Sequence, residues 1–369
     1  MKVAICGNLV IAQRIRKLAA GNVELKFFVR DFISTPGDIP ANFTPITFFE
    51  FRRLISCGEL DGLLIADATV YGNFTKTVVR TCKLYNVPQV CVVNFDGDNP
   101  IYTLDTNKIF IPYIETSIID GCNLNCRACV DFSSLFGRDE VYPLENFRRD
   151  VEQISRTCDL VIFRLMGGEP LLLKNLDEYL RIARKYLPQT HLHVVTNGLL
   201  IPSLPQKILD ALRENRCIVD ISAYAPTRKI ADKIQAVLAA NKITFSFDTF
   251  FKDKFIVFMT LHGGNDPEKS RAACLSDICR FLRGGKLYKC QNEALRFRLA
   301  ERFGVEGLPE PVGVNIYAPN FSSMLEMLDG NVEMCYWCSE QPREILWRPT
   351  NSPKLEDWLA DPDELKNFL

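Results

Sequence analysis

The 369-residue sequence lacks a large excess of charge of either sign, because 44 Lys and Arg face 45 Asp and Glu. Without a strongly basic surface, the chain is not expected to bind nucleic acid or an anionic membrane. It also lacks an apolar run of about 18 residues that could span a bilayer. Its first residues, "MKVAICGNLVIAQRIRK", contain no basic leader and no small-residue cleavage site. We therefore expect a cytoplasmic protein with neither a membrane nor a nucleic-acid partner.

The first 105 residues lack a nucleotide-binding glycine motif, although strand-like and helix-like segments alternate there. Such alternation predicts a small Rossmann-like domain with a parallel sheet over residues 1–105. After Gly7 the sequence continues "NLVIAQ", so the G-x-G-x-x-G pattern is absent and an NAD site is not expected. Residues 94–107, which carry glycine and proline turn signals, are predicted to form a linker.

Strands and helices alternate again from about residue 110 to residue 260. Six strand-like segments with intervening helices predict a partial, parallel (β/α)6 barrel over residues 106–265. Reactive groups of such a barrel lie at the carboxyl ends of its strands. The strand-like segments are "YIETSII", "LVIFRLMG", "HLHVVTN", "IVDISAY", "ITFSFDT" and "FIVFMTL". Residues 266–369 are more irregular and rich in cysteine, and we expect them to form a third domain.

Cysteine is abundant, with 14 residues in the chain. Disulfides rarely persist in a reducing compartment, so their spacing indicates metal binding rather than cross-links. Cys122, Cys126 and Cys129 lie in the stretch "IIDGCNLNCRACVDFSS". Three thiolates so spaced in a loop can hold an iron–sulfur cube that leaves one iron open. Zinc is the alternative, but a fourth nearby cysteine or histidine is missing.

The stretch "LMGGEP" follows the second predicted barrel strand and contains Gly167, Gly168 and Glu169. Two glycines let the backbone approach a small ligand closely, and a carboxylate can accept hydrogen bonds from a cationic amine. Taken alone, the stretch also fits an ordinary turn with a solvated glutamate.

Together these motifs resemble the radical S-adenosylmethionine enzymes. The C-x3-C-x2-C loop, "GGEP" and "VVTNG" follow the first, second and third strands in that family's order, over roughly residues 110 to 260. The resemblance implies that the three cysteines hold a 4Fe–4S cluster whose open iron binds S-adenosylmethionine. It further implies reductive cleavage of that cofactor to a 5′-deoxyadenosyl radical, which abstracts hydrogen from a substrate. Gly167, Gly168 and Glu169 would position the methionyl amine.

Two further residues are predicted to contact the cofactor, and one position departs from the family. Asn197 and Ser222 follow the third and fourth strands and are candidates to contact the ribose or carboxylate, or to act as turn and strand-end caps. Ala128 stands where the family often has an aromatic ring against adenine, so adenine is expected to pack elsewhere.

A second cysteine set follows the barrel. Cys274, Gly285 and Cys290 match the C-x(9–15)-G-x4-C pattern of auxiliary-cluster domains, and Cys335 and Cys338 complete four thiolates. The spacing resembles the twitch type of domain, a shorter relative of the SPASM type, which implies one auxiliary 4Fe–4S cluster. A structural zinc site is the alternative.

Cys279 is a fifth candidate ligand for the four bonds of that site. The thiol left over is either a buried filler or a hydrogen-atom donor. The other cysteines are interpreted as core or inert surface residues. They are Cys6, Cys57, Cys82, Cys91, Cys158 and Cys217.

Several further polar and aromatic side chains are candidates for the barrel interior or the second cluster. Each polar one is either a general base or substrate contact, or a structural hydrogen-bonding group. Aromatic residues beside the second cysteine set are expected to cover that cluster. The polar candidates are His191, His193, Asp220, Tyr224, Asp248 and His262, and the aromatic ones are Tyr336 and Trp337.

The leading functional hypothesis is a radical oxidation or epimerisation of a carbohydrate or polyol. A nucleotide-activated form of such a substrate is included in this hypothesis. It rests on analogy of fold and family. Inversion needs a hydrogen donor, for which Cys279 or Cys217 would serve, and Tyr224 is a further catalytic candidate. A flavodoxin or ferredoxin is the expected electron donor. The alternatives are a peptide maturase acting on a ribosomal precursor and a non-enzymatic iron–sulfur scaffold or regulator.

Overall fold

The computed structural model describes residues 1–18, 23–35, 37–70, 72–95, 100–137, 139–248, 252–274 and 279–368. It divides into two compact units. The first comprises Met1–Pro112 with Arg156–Val161, and the second Tyr113–Ser155 with Ile162–Leu369. The predicted region 266–369 falls inside the second unit, and the division into three domains stays a prediction. No helix among the described residues has the length and apolar character needed to cross a membrane.

The first unit is built on a six-stranded sheet of order β3-β2-β1-β4-β5-β6. Strands β1 to β5 pair in parallel and β6 pairs antiparallel with β5, as a Rossmann-like arrangement requires. The elements are β1 (Lys2–Gly7), α1 (Leu9–Leu18), β2 (Glu24–Ile33), β3 (Thr44–Ile46), α2 (Phe48–Ser56), β4 (Gly62–Ala66), α3 (Asn73–Leu84), β5 (Gln89–Val93) and β6 (Ile101–Leu104).

The predicted linker at residues 94–107 is wrong in part, because it contains strand β6. Residues 96–99 of that stretch lie outside the described residues. Tyr102 and Leu104 are buried and Thr103 between them is exposed, a strand pattern that the turn signals on either side obscured.

An alternating series of strands and helices forms the barrel. Its elements are β7 (Ile109–Ile119), α4 (Leu144–Thr157), β8 (Cys158–Gly167), α5 (Leu176–Tyr186), β9 (His191–Thr196), α6 (Gln206–Glu214), β10 (Ile218–Ser222), α7 (Ala225–Arg228), α8 (Ala231–Ala240) and β11 (Thr244–Asp248). Helix α4 shows why these segments fold as they do, since it buries Phe147, Val151 and Ile154 at helical spacing. The Phe147 ring packs on Phe163 of β8 and on Tyr179 of α5.

The remaining elements follow the barrel. They are β12 (Lys254–Met259), α9 (Pro267–Ala273), β13 (Phe281–Arg283), β14 (Lys286–Tyr288), α10 (Gln291–Leu295), α11 (Phe297–Phe303), β15 (Val314–Asn315), α12 (Phe321–Leu325), β16 (Cys338–Leu346) and α13 (Leu365–Phe368). Strands β13, β14 and β15 extend the barrel sheet beyond β7, in the order β11-β10-β9-β8-β7-β13-β14-β15.

The sixth predicted barrel strand, β12, does not join that sheet. It pairs antiparallel with β16, from Lys254 opposite Leu346 to Met259 opposite Cys338. Only residues 249–253 separate β11 from β12. A parallel neighbour needs a crossover of about a dozen residues or more, so this connection is too short to return β12 beside β11. The partial α/β barrel is confirmed, with five of its predicted strands in one parallel series.

Candidate functional site

The loop after β7 brings three thiols to one cavity of about 330 Å³, which Cys122, Cys126 and Cys129 all line. Asn125, Ala128 and Phe132 have φ of 46°, 57° and 53°, in the left-handed region that non-glycine residues seldom occupy. Residues in this conformation turn the backbone of the loop sharply. The three thiols, which are spread over eight positions, can therefore face the same cavity. The sequence pattern shows the thiols but not this strained backbone.

Burial raises the pKa of each of the three thiols, to about 12 for Cys126. They are therefore protonated at neutral pH in the metal-free chain, and metal binding must release their protons. The backbone N–H of Leu124 donates to Cys122 Sγ at 3.4 Å, and Trp347 Nε1 donates to Cys126 Sγ at 3.1 Å. Three thiols with N–H donors around one cavity are a donor set that fits an iron–sulfur cluster.

Gly167 and Gly168 let the end of β8 lie against the end of β7. A Cβ on Gly167 would stand 2.0 Å from Ile119 O, and one on Gly168 would stand 2.0 Å from Gly121 O. Gly168 N donates to Ile119 O at 2.8 Å, and Glu169 N donates to Gly121 O at 3.0 Å. Both glycines also line the cavity. In this structure the two glycines therefore allow two backbone segments to approach each other. The sequence argument had expected the room they leave to serve a ligand.

The Glu169 carboxylate is fully buried and faces the protein rather than the cavity. It accepts hydrogen bonds from Leu171 N at 3.0 Å, Thr196 Oγ1 at 2.7 Å and Asn197 N at 2.8 Å. Burial raises its pKa to about 7, although these donors oppose the shift. In this structure the side chain ties the end of β8 to the end of β9, and its contact with the methionyl amine stays a prediction.

Asn197 and Ser222 both line the cavity, as the sequence argument expects of cofactor contacts. Asn197 Nδ2 donates to Asn123 Oδ1 at 2.7 Å, and Asn197 Oδ1 accepts from Leu199 N at 3.0 Å. Asn197 therefore also has the structural role that was weighed as its alternative. Contact of Asn197 and Ser222 with a cofactor stays a prediction.

Charged side chains in the barrel interior form a network that the sequence argument missed in part. Arg164 Nη1 donates to Tyr113 OH at 2.7 Å and lies 3.3 Å from Glu115 Oε1. Arg164 Nη2 lies 3.5 Å from Asp220 Oδ2, which is 2.9 Å from His193 Nδ1. The sequence did contain a sign of this network. A charged residue interrupts each of two strands that contain no other charged residue, an arginine in "LVIFRLMG" and a glutamate in "YIETSII".

Three polar atoms of cavity-lining residues are buried without a hydrogen-bond partner in the described part of the chain. They are Gln291 Oε1, Asp131 Oδ1 and Arg164 Nε. Gln291 is 7% exposed, and its Nε2 donates to Glu115 Oε2 at 2.9 Å. Two acceptors and one donor left unpaired at a cavity wall can pair with a polar ligand or with water.

The predicted Tyr224 also lines the cavity, within an aromatic group. Its ring stacks on Trp347 with centroids 5.4 Å apart and meets Phe255 edge-on at 6.1 Å. Lys252 Nζ lies 5.7 Å from its ring centroid and 3.0 Å from Asp248 Oδ2. Burial raises the pKa of Tyr224 above its ordinary value, so the phenol stays protonated at neutral pH and is not available as a base. Its aromatic face is the feature that the site can use.

The second cysteine set is divided between two cavities. Cys274, Cys290 and Cys338 line a smaller cavity of about 80 Å³, whereas Cys279 lines the main cavity. Cys335 lines neither, but its charge would raise the pKa of Cys338, which indicates that the two thiols are close. The charges of Cys290 and Cys274 would likewise raise the pKa of Cys279. The assignment of four of these five thiols to the second site therefore stays a prediction. Among the described residues, no group of three or more His, Cys, Asp or Glu is arranged to hold a single metal ion.

The remaining candidates lie away from the main cavity. Cys217 is buried immediately before β10, five residues before Ser222, and it does not line the main cavity. His262 lies 3.4 Å from Glu364, and Tyr336 is partly exposed. The Trp337 indole lies close to Gly263. Cys6, Cys82, Cys91 and Cys158 are buried and Cys57 is exposed.

A partial α/β barrel with three thiols and a double glycine at its strand ends defines a protein that holds an iron–sulfur cluster beside a bound cofactor. Residues 116–269 match the family model described as Radical SAM superfamily. The chain thus contains a radical SAM domain over these residues, and this family implies a 4Fe–4S cluster and S-adenosylmethionine. The predicted family and these two cofactors are thereby confirmed, and the twitch-like assignment of the second cysteine set stays a prediction.

Curated relatives of this chain include proteins named GTP 3′,8-cyclase. The one from Nautilia profundicola is 29% identical over 228 residues, which are 56% of this chain and 69% of that protein. The one from Helicobacter pylori strain ATCC 700392 / 26695 is 31% identical over 112 residues, 29% of this chain and 34% of that protein. The chain thus spans about two thirds of the first relative and about one third of the second.

Solved structures with a similar fold include BtrN in complex with AdoMet and 2-DOIA, with a TM-score of 0.39 and 18% identity. That similarity covers 63% of this chain and 94% of BtrN. Native anSMEcpe with bound AdoMet has a TM-score of 0.30 and 20% identity, over 37% of this chain and 44% of that one.

Proposed function

We propose that this enzyme inverts a carbon centre of a small polyhydroxylated substrate, such as a carbohydrate or polyol. The observation that carries the proposal is the position of Cys279, whose thiol lines the same cavity as Cys122, Cys126 and Cys129. The unpaired Gln291 Oε1 and Asp131 Oδ1 in that cavity support a ligand rich in hydroxyl groups. Each could accept a hydrogen bond from a substrate hydroxyl.

The residues that would hold the cofactors are Cys122, Cys126 and Cys129 for the first cluster and Cys274, Cys290, Cys335 and Cys338 for the second. When bound, the first cluster and S-adenosylmethionine supply a 5′-deoxyadenosyl radical that takes one hydrogen atom from a substrate carbon. Gly167 and Gly168 keep the cavity wall free of side chains beside the cysteine loop. The faces of Tyr224 and Phe255 offer adenine the aromatic partner that Ala128 does not supply.

Cys279 then completes the inversion. Its S–H bond breaks and a new C–H bond forms on the opposite face of the substrate carbon, which leaves a sulfur radical on Cys279. One electron and one proton restore the thiol. A flavodoxin or ferredoxin is the proposed source of that electron, by way of the second cluster. Burial raises the pKa of the Cys279 thiol, which keeps its transferable hydrogen in place at neutral pH.

The charge of the cavity argues against a triphosphate substrate, although relatives are named GTP 3′,8-cyclase. Among the described lining residues, Arg164 and Lys252 are the cationic ones, and both already face carboxylates. Arg164 lies between Glu115 and Asp220, and Lys252 pairs with Asp248. A triphosphate carries several negative charges and needs cations that are free to pair with it.

Oxidation of the same substrate class is the second candidate. It is favoured by the wall between the two cavities, because Ala128, Val130, Ile256 and Phe258 line both. An electron from the substrate radical would cross only these side chains to reach the second cluster, while a base removes a proton. Product mass separates the candidates, since oxidation removes two hydrogens and inversion removes none.

The test is an anaerobic assay in heavy water with reconstituted enzyme, dithionite and a panel of sugars and polyols. Wild-type enzyme should form 5′-deoxyadenosine and an epimer that carries one deuterium. Cys279→Ser should still form 5′-deoxyadenosine but give no deuterated epimer, since a hydroxyl is a far weaker hydrogen-atom donor. Cys217→Ser is the matched control and should behave as wild type. Deuterated epimer from Cys279→Ser at the wild-type rate would exclude Cys279 as the donor, and a dehydrogenated product would favour oxidation.

A further inference from the structure

Arg296 lies at the junction of α10 and α11 and is a cation buried without a carboxylate partner. It is 1% exposed. Its Nη1 donates to Met334 Sδ at 2.7 Å and its Nη2 donates to the carbonyl of Trp337 at 3.1 Å. Its Nε has no hydrogen-bond partner, and no carboxylate lies within ion-pair distance of it in the part of the chain that the structure describes.

Such a residue costs stability unless a negative charge compensates it, because an arginine cannot discard its proton on burial as a lysine can. Met334 and a backbone carbonyl are neutral partners. The Trp337 carbonyl that Arg296 contacts belongs to the residue before Cys338, and Cys290 is the N-cap of α10, the short helix that ends at Arg296. Both cysteines are predicted ligands of the second cluster, and as ligands they would be thiolates. The negative charge that Arg296 needs would therefore come from the cluster and its ligands.

Two hydrogen-bond donors reach the same sulfurs from α10. Asn292 Nδ2 donates to Cys338 Sγ at 3.7 Å, and Glu293 N donates to Cys290 Sγ at 3.4 Å. Donors and positive charge therefore collect around two of the three thiols that line the smaller cavity. An arrangement of this kind suits an anionic centre and is unfavourable around neutral thiols.

We infer that Arg296 is the counter-charge of the auxiliary cluster and sets its reduction potential. The inference rests on the second cluster of the proposed function. A cube held by four thiolates is an anion, and reduction adds one more negative charge to it. A buried cation beside two of its ligands stabilises the reduced form more than the oxidised form, which raises the potential. This would let the second cluster accept an electron from the donor protein and pass it to the radical on Cys279.

The test is an anaerobic redox titration of the full-length chain, followed by electron paramagnetic resonance. A background in which Cys122, Cys126 and Cys129 are all alanine isolates the auxiliary signal, and the holoenzyme is titrated in parallel. Arg296→Met removes the charge at similar volume, and Arg296→Lys keeps it. Arg302→Met is the matched control, because Arg302 is exposed on α11.

Arg296→Met should lower the equilibrium constant for reduction by about tenfold or more, which is about 59 mV for one electron. Arg296→Lys should recover most of the wild-type potential, and Arg302→Met all of it. Loss of auxiliary iron in Arg296→Met but not in Arg296→Lys would also support the inference, because only charge separates the two. An unshifted potential in Arg296→Met, or loss of iron in both variants, would overturn it.

Iron and sulfide analysis of the wild-type holoenzyme keeps this result distinct from failure of the proposed function. About eight irons per chain are expected for two clusters. About four would mean that the second cluster itself is absent, which overturns the proposed cofactor content. Eight irons with an unshifted potential would overturn only the role of Arg296.

Discussion

Single side chains in this molecule organise the cavity mainly by tying neighbouring strand ends together. Glu169 joins the ends of β8 and β9, and Asn197 joins the end of β9 to the cysteine loop. Such groups hold the cofactor-binding backbone in place, whether or not they also contact a ligand. Their substitution is therefore expected to alter stability and cofactor binding together.

Glu169 should give the metal-free protein a distinctive pH dependence. The unfolded carboxyl ionises near its ordinary pKa of 4.5 and the folded one near 7, so between these values the folded chain holds more protons. The contribution of Glu169 is fully present below pH 4.5 and is lost as the pH rises through 7. We expect it to lower the free energy of unfolding by about 3 kcal/mol across this window.

Denaturant unfolding of metal-free protein between pH 5 and 8 measures this effect. Glu169→Gln should reduce the dependence and leave the part that comes from Asp131, whose pKa burial raises to about 8. Glu214→Gln should leave it unchanged, because Glu214 is exposed on α6. A slope in Glu169→Gln equal to that of wild type would show that another group titrates.

Among the secondary-structure elements, the segment after β16 controls the first cysteine loop. Arg127 N donates to Arg348 O at 2.9 Å, and Thr350 N donates to Asn125 O at 2.8 Å. Trp347 contributes its indole N–H to Cys126, and Arg127 forms an ion pair with Asp357. The loop that carries the first thiols is therefore held by residues more than 200 positions later in the chain.

The Arg127–Asp357 ion pair should contribute to both stability and iron binding. The Asp357 side chain is 5% exposed and that of Arg127 is 20% exposed. Asp357→Asn keeps the shape of the side chain and leaves Arg127 without its counter-charge. We expect it to lower the free energy of unfolding by about 2 kcal/mol.

Denaturant unfolding and iron content at the first site measure the two effects. Asp253→Asn breaks an exposed pair with Arg228 and serves as the control, with an expected loss of under about 1 kcal/mol. If Asp357→Asn and Asp253→Asn lowered the free energy of unfolding equally, the buried ion pair would contribute no more to stability than the exposed one.

For the whole molecule, the two cysteine sets are expected to load and act separately. Alanine at Cys122, Cys126 and Cys129 should remove about four irons per chain and abolish cleavage of S-adenosylmethionine. Alanine at Cys274, Cys290 and Cys338 should also remove about four irons but leave cleavage with dithionite intact. The measurements are iron, sulfide and 5′-deoxyadenosine. Iron loss that does not divide between the two sets would contradict the separation of the two cavities.

The sequence by itself determined the features that depend on local spacing. Alternating apolar segments predicted the Rossmann-like sheet and the barrel, and the thiols at Cys122, Cys126 and Cys129 predicted the cluster site. "LMGGEP" and "VVTNG" predicted the ends of β8 and β9 as the cofactor side. The fold inferences are confirmed because each depends on residues within one loop or one βα unit, and the site residues of these motifs stay a prediction.

Only the tertiary structure decided which distant residues share a cavity. It placed Cys279 and the first cysteine loop in the lining of one cavity, and Cys274, Cys290 and Cys338 in the lining of a second. It paired β12 with β16 and brought Arg296 to the backbone carbonyl that precedes Cys338. The spacing of residues along the chain does not show which of several distant residues of the same type, such as the cysteines, come together. That choice depends on which elements pack together, and on the cost of burying a charge away from its partner.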